Sequence, residues 1–242
     1  MQLVESNHPP GGIVMISGEI YRYSLSARCY LALNVPEGSQ AFWQMGCLIS
    51  KMLNLGIQQS MENPVHEWVW IMGDDHTYAP QVITNLLDRD KDVILPLCLN
   101  RHAPLDPTIG IWTDSEHTKL KHLETLPTEG LYKLAENETT GDSGMLIRRH
   151  VLEKIGFPWY RHRKSGGWDY NAEDQAFNAL IREAGYDIWI DLDNRIGHIM
   201  TVTNYAYVRE GKWRIGLETS SARLMELTPS RPLHYPEITP GE

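Results

Sequence analysis

Two carboxylates and an imidazole, Asp74, Asp75 and His76, follow directly on the apolar run "VWIM" and its closing Gly73. A hard divalent cation takes carboxylate oxygens, accepts a neutral imidazole beside them and keeps positions open for phosphate oxygens. Neighbouring residues on an extended turn point in different directions. His76 is therefore the less favoured second ligand, and a distant histidine, His198 behind "WIDLDNRIG", is expected to join Asp75. A second pair of acids, Glu173 and Asp174, opens "AEDQAFNALIREAGYDIWI" behind the Gly- and Trp-bearing stretch "GGWDY". In the first turn of a helix the dipole favours negative charge, and a carboxylate held ionised there can accept a proton from a hydroxyl. Asp142, in "TGDSG", is a further acid at an element boundary. Arg101, Arg148 and Arg149 could contact phosphate or an acceptor, although surface arginines are usually only solvated.

These residues need elements to position them. "VWIM" reads as a strand buried on both faces, which puts the acids at its carboxyl end, where open α/β sheets bind ligands. Upstream, "GIVMISG" (12–18) reads as a strand, "EIYRYSLSARCYLAL" as a helix, and "QAFWQMGCLISKMLNLGIQQSM" as one helix with Ser39 as its N-cap. Downstream come a helix in "APQVITNLLDRD" and a strand in "DVILPLCL". The stretch from Asn100 to Glu138 is polar and broken by prolines, with short strands such as "TIGIW". "TGDSGMLIRRHVLEKIG" supplies a turn, a short apolar segment and a helix. "AEDQAFNALIREAGYDIWIDL" supplies a helix and a strand, and "EGKW" marks a turn in the aromatic tail. Strands alternating with helices imply an α/β layered fold.

The 242 residues fit one large domain, and a net charge of −9 argues against a general affinity for nucleic-acid backbones. The sequence shows no membrane-length apolar run and no signal-peptide pattern at its N-terminus, so a cytoplasmic location is expected. Cys29, Cys47 and Cys98 lie in apolar contexts without CxxC spacing and read as buried free thiols.

Taken together, "VWIMGDDHTY", "TGDSGMLIRRHVLEKIG", "GGWDYNAEDQAFNALIREAGYDIWID" and the terminal "IGH" resemble the GT-A glycosyltransferases, close to the family 2 type, over residues 12–200. The resemblance implies an α/β GT-A fold: a Rossmann-like, mostly parallel central sheet flanked by helices, with a smaller acceptor-side subregion. It implies a single domain over 1–242, with a nucleotide-sugar half (12–100), an acceptor and catalytic half (101–200) and a C-terminal extension (201–242). Asp75 resembles the last acid of the D-x-D motif, which ligates Mn²⁺ or Mg²⁺ on the diphosphate of a UDP- or GDP-sugar. Asp74 lies where a ribose or sugar contact is usual, and His198 resembles the third metal ligand of several such families. Asp174 resembles the base of inverting members, and Glu173 would orient the acceptor hydroxyl. Ser17 and Glu19, in "MISGE", lie where nucleotide base and ribose sit. Arg101 remains a phosphate or acceptor contact. The implied partners are a nucleotide-sugar and a hydroxyl-bearing acceptor such as a glycan or protein. Gly73 departs from the motif, falling where its first acid is commonly found. Two alternatives follow: a metal-dependent phosphoester or nucleotide hydrolase, and a non-catalytic nucleotide-sugar-binding relic, to which Gly73 points.

Overall fold

The computed structural model describes residues 1–17, 24–46, 48–101, 106–114, 119–123, 125–161, 173–199, 202–219 and 224–227. Its contacts divide the chain into two compact units. One comprises Met1–Asn100 and Asp106–Ile199, the other Arg101–Leu105 and Met200–Glu242. The described part of the second unit is a three-stranded antiparallel sheet. Val202–Arg209 pairs with Lys212–Thr219 through the Glu210-Gly211 turn, and that strand pairs with Leu224–Leu227.

The first unit is a mixed α/β layered structure built on a large central sheet. Among the described residues seven strands form it, in the spatial order Gln40–Met45, Gly12–Ser17, Trp68–Gly73, Leu146–Arg148, Val93–Leu97, Trp189–Arg195 and Leu131–Lys133. Leu146–Arg148 and Leu131–Lys133 run antiparallel to their neighbours. Since Leu146–Arg148 opposes both Trp68–Gly73 and Val93–Leu97, the other five strands share one direction.

The apolar run "VWIM" is wholly buried because both sheet faces are covered. Val69 and Ile71 face a core with Leu53 and Ile57 of the Ile49–Glu62 helix, Val151 and Leu152 of Arg149–Ile155, and Phe177 and Ile181 of Glu173–Glu183. The alternate residues Trp68, Trp70 and Met72 face a second core with Val82, Ile83 and Leu86 of Val82–Asp88. Alternation sends successive side chains to opposite faces, so a strand covered twice reads as continuously apolar. No helix among the described residues is long and apolar enough to cross a membrane.

One expected element is different. Residues 40–61 were expected as a single helix, but Gln40–Met45 is an edge strand parallel to Gly12–Ser17, and the helix begins only at Ile49. The apolar residues of "QAFWQM" fit helical spacing, but pairing with Gly12–Ser17 satisfies the backbone there, and tertiary context overrides a local pattern. The extra strand turns the expected helix–helix succession into regular strand–helix alternation. The strand at 12–17, the helices at 82–88, 149–155 and 173–183 and the strand at 93–97 lie within the stretches where they were expected.

Candidate functional site

Parallel strands end on one edge, and that edge collects the polar residues. Gly12–Ser17 pairs in parallel with Trp68–Gly73, with Ile16 opposite Gly73, so Ser17 lies beside the first acid. The Ser17 hydroxyl donates to Asp74 Oδ2. Cys98 follows Val93–Leu97 on the same edge, and the chain leaving Trp189–Arg195 reaches His198. The inserted Leu146–Arg148 strand runs the other way, so its beginning, with Asp142 and Ser143, belongs to this edge too. The Gly144 N–H donates to Ile71 O at 2.8 Å and fixes that turn against the apolar strand.

His198 is carried in by a ladder only two residues long. Gly197–His198 pairs antiparallel with His76–Thr77, setting His198 opposite His76, and Ile199 N–H donates to Asp75 O at 2.8 Å. The two imidazoles stack with centroids 4.2 Å apart. Asp75 lies between them: Oδ2 is 3.2 Å from His198 Nε2 and Oδ1 is 2.7 Å from His76 Nδ1. Burial pushes the Asp75 carboxyl up, but the hydrogen bonds with His198 and His76 outweigh it, and the net result is a carboxyl held well below the usual carboxylate range. His76 thus does face Asp75, against the expectation that adjacency would turn it away. Residues 74 and 75 form a turn, so the alternation of an extended strand does not apply.

Gly73 stands where an acid of the D-x-D pattern was expected, and packing explains it. A Cβ there would lie 2.7 Å from Ser143 Oγ and 2.9 Å from His76 Nδ1, and Ser143 Oγ is itself 3.3 Å from that nitrogen. His76 and Ser143 occupy the space a side chain would need.

The geometry fits a divalent cation. His198 Nδ1 lies 3.0 Å from the Leu99 carbonyl and Nε2 faces Asp75, so with Nδ1–H held on that carbonyl a cation can take the place of the proton between Nε2 and the carboxylate. The Nε2–Oδ2 spacing of 3.2 Å is close to the roughly 3 Å between neighbouring ligands on an octahedral cation with bonds near 2.1 Å.

A second acidic group adjoins this one. Glu173 and Asp174 begin the Glu173–Glu183 helix, where Gln175 N–H donates to Asp174 Oδ1 at 2.7 Å. Asn178 anchors the helix by donating to Thr139 Oγ1 and Thr140 O at 3.0 and 2.6 Å. Asp174 Oδ2 lies beside Gly141, 3.7 Å from where a Cβ would stand. Burial and then the Asp142 carboxyl push Asp174 up to about 7. The expectation that the helix end would hold it ionised is corrected, because the neighbouring acid and the loss of solvent outweigh the backbone donors. Burial also raises Asp142, which feels His76 on one side and Glu173 on the other. Asp142 is the link between the two groups.

Two of the arginines fall elsewhere. Arg148 and Arg149 lie at the opposite end of the sheet, with Arg148 paired opposite Trp68. Arg149 donates to Met61 O, Asn63 O and His66 O and to Glu153, so it ties a helix end and is not a phosphate contact. Arg101 belongs to the second unit. Glu19, the "GGW" stretch and Cys47 lie outside the described residues. Cys29 and Cys98 are free thiols. Burial, followed by the nearby Asp75 charge, pushes Cys98 up to about 12. The sequence reading gave Cys98 no part in the site, although its place just past "VILPL" was a signal for this edge. Ser143, beside His76, carried no signal of its own.

No family model matches this chain, and no curated protein matches its sequence. Among solved structures, GalNAc-T7 with UDP, GalNAc and Mn²⁺ is similar over 84% of this chain and 44% of its own, with a TM-score of 0.52 and 13% identity. The A197 protein from STIV is similar over 93% of this chain and 99% of its own, with a TM-score of 0.49 and 11% identity. This chain therefore spans less than half the length of GalNAc-T7, and the likeness is one of fold: a large central sheet flanked by helices, as in the GT-A arrangement.

Proposed function

We propose that this protein transfers a sugar from a nucleotide-diphosphate donor, such as a UDP- or GDP-sugar, to a hydroxyl acceptor with inversion at the anomeric carbon. The observation that carries this reading is the close approach of Asp75 Oδ2 and His198 Nε2, 3.2 Å apart, at the carboxyl edge of the sheet. It is supported by a fold like that of a protein whose structure contains UDP and Mn²⁺.

Asp75 and His198 would hold Mn²⁺ or Mg²⁺, and when bound that cation supplies positive charge for a departing diphosphate. Asp74, tied to Ser17, is assigned to the ribose or sugar of the donor. Asp174 accepts the proton of the acceptor hydroxyl, and Glu173 orients that hydroxyl. A base with a pKa near neutrality combines a usable deprotonated fraction with real basicity. Residues 12–100 would form the donor half and 101–200 the acceptor half, with 201–242 an extension.

A panel of nucleotide-sugars and acceptors with Mn²⁺ tests the proposal. Sugar transfer with an inverted product anomer, read by NMR, is the expected result. Phosphate release without transfer would assign a hydrolase instead, and binding without turnover a relic. Asp75→Ala should abolish metal-dependent transfer, and persistence of activity in that variant would remove Asp75 from the centre.

A further inference from the structure

Beside Asp75 and His198 stand two groups that a hard-cation site does not need. Among the described residues, one ligand atom each from His76, Cys98 and His198 lie within 4.8 Å of one another. Asp75 reaches both imidazoles, at 2.7 Å from His76 Nδ1 and 3.2 Å from His198 Nε2. A thiol and two imidazoles thus converge on one place, and a carboxylate adjoins both imidazoles. His76 and Cys98 are buried, at 5% and 6% exposure, and Asp75 and His198 are partly exposed.

We propose that His76, Cys98, His198 and Asp75 form a four-ligand Zn²⁺ site overlapping the Mn²⁺ position, so that Zn²⁺ displaces Mn²⁺ and shuts the centre. The overlap rests on Asp75 and His198 being the Mn²⁺ ligands. Thiolate and imidazole select Zn²⁺ over Mn²⁺, and the intrinsic affinity order of divalent metals runs the same way. Tetrahedral Zn²⁺ with bonds of about 2.0–2.3 Å spaces its ligands at roughly 3.3–3.8 Å, so the thiol and the two imidazoles close by about an ångström, the stacked rings turn apart, and one Asp75 oxygen swings in as the fourth ligand. The Leu99 carbonyl already fixes the orientation of His198 from behind. On binding, a Zn–S bond forms and the Cys98 proton leaves to solvent. Four protein ligands then leave no position for a diphosphate oxygen, which distinguishes a closed metal site from a working one.

Co²⁺ serves as the spectroscopic probe on the full chain freed of metal by chelation. The expected result is one equivalent bound with intense tetrahedral visible bands and a near-ultraviolet thiolate-to-cobalt band, all bleached by one equivalent of Zn²⁺. Cys98→Ser should lose the thiolate band and bind Co²⁺ more weakly by more than the roughly 10- to 100-fold typical of an outer-shell change. A faint octahedral spectrum without the thiolate band in the wild-type protein would overturn the site. If Cys98→Ser does not fold, X-ray absorption of the Zn²⁺-loaded wild type decides, since a sulfur at about 2.3 Å is required. Overlap is read by Mn²⁺ electron paramagnetic resonance: Zn²⁺ should release bound Mn²⁺ one for one, and simultaneous binding of both would overturn it. The two readings fail separately. A thiolate band without any Mn²⁺-dependent transfer would remove the transferase and keep the Zn²⁺ site, whereas transfer without the band would do the reverse.

Discussion

Opposing influences meet at Asp174. Burial and the Asp142 carboxyl push it up to about 7, against the pull of the Gln175 N–H. Transfer should therefore rise with pH through about 7, and Asp142→Asn should move that limb to lower pH by removing the neighbouring acid. Asp174→Asn keeps the shape and removes the base, so transfer should fall roughly 10²- to 10⁴-fold with donor binding little changed. Stability runs the other way. The folded pKa lies above the ordinary value of about 4, so the protonated carboxyl contributes stability below about pH 4 that is lost as pH rises through about 7. Urea unfolding should find Asp174→Asn equal to the wild type near pH 4 and more stable at pH 8, and an equal difference at both would mean that Asp174 ionises normally. Sequence alone made the helix-end acid legible, because "AEDQAF" places it there. It did not make the sign of the shift legible, since Asp142 arrives through an inserted antiparallel strand far away in the chain.

Short elements do much of the positioning. The ladder of Gly197–His198 on His76–Thr77 sets one imidazole opposite the other. A Cβ at position 197 would lie 2.4 Å from Thr77 Oγ1, so Gly197→Ala forces the Thr77 side chain to turn away or the ladder to part. Mn²⁺ affinity should fall by roughly 10-fold or more, as for loss of the support behind a metal ligand. Thr77→Ala in the same chain removes the colliding oxygen and should restore much of the affinity, measured by Mn²⁺ electron paramagnetic resonance. Unchanged affinity in Gly197→Ala would show that the ladder does not orient His198. The long strands were legible because burial on both faces writes a continuous apolar run, as in "VWIM". Two-residue strands write no periodicity, and the edge strand Gln40–Met45 wrote one that fits a helix equally well. The meeting of His198 with Asp75 was still foreseeable, since both follow apolar runs that a parallel sheet ends on one edge.

At the scale of the molecule, the sheet is a platform whose two cores include Cys98 but not Asp74, Asp75 or His198. Helices cover Val69 and Ile71 on one face and Trp70 and Met72 on the other, so the apolar packing makes no use of Asp74, Asp75 or His198. Changes at those residues should therefore weaken ligand binding while leaving the fold intact, and ligand-linked stability separates the two effects. A ligand bound only by the folded chain adds about 2.7 kcal/mol at 100 times its Kd. At roughly 2–4 °C per kcal/mol for a chain of this size, UDP or GDP with Mn²⁺ should raise the melting temperature by about 5–10 °C. A chelator should remove most of the increment, because the diphosphate is then held without its cation. Asp75→Ala should melt modestly below the unliganded wild type, because the lowered Asp75 carboxyl also stabilises the folded state, and show no increment with nucleotide and Mn²⁺ together. An undiminished increment in that variant would place the nucleotide away from the Asp75 edge, while a collapse of its unliganded melting temperature would show that the edge supports the fold after all.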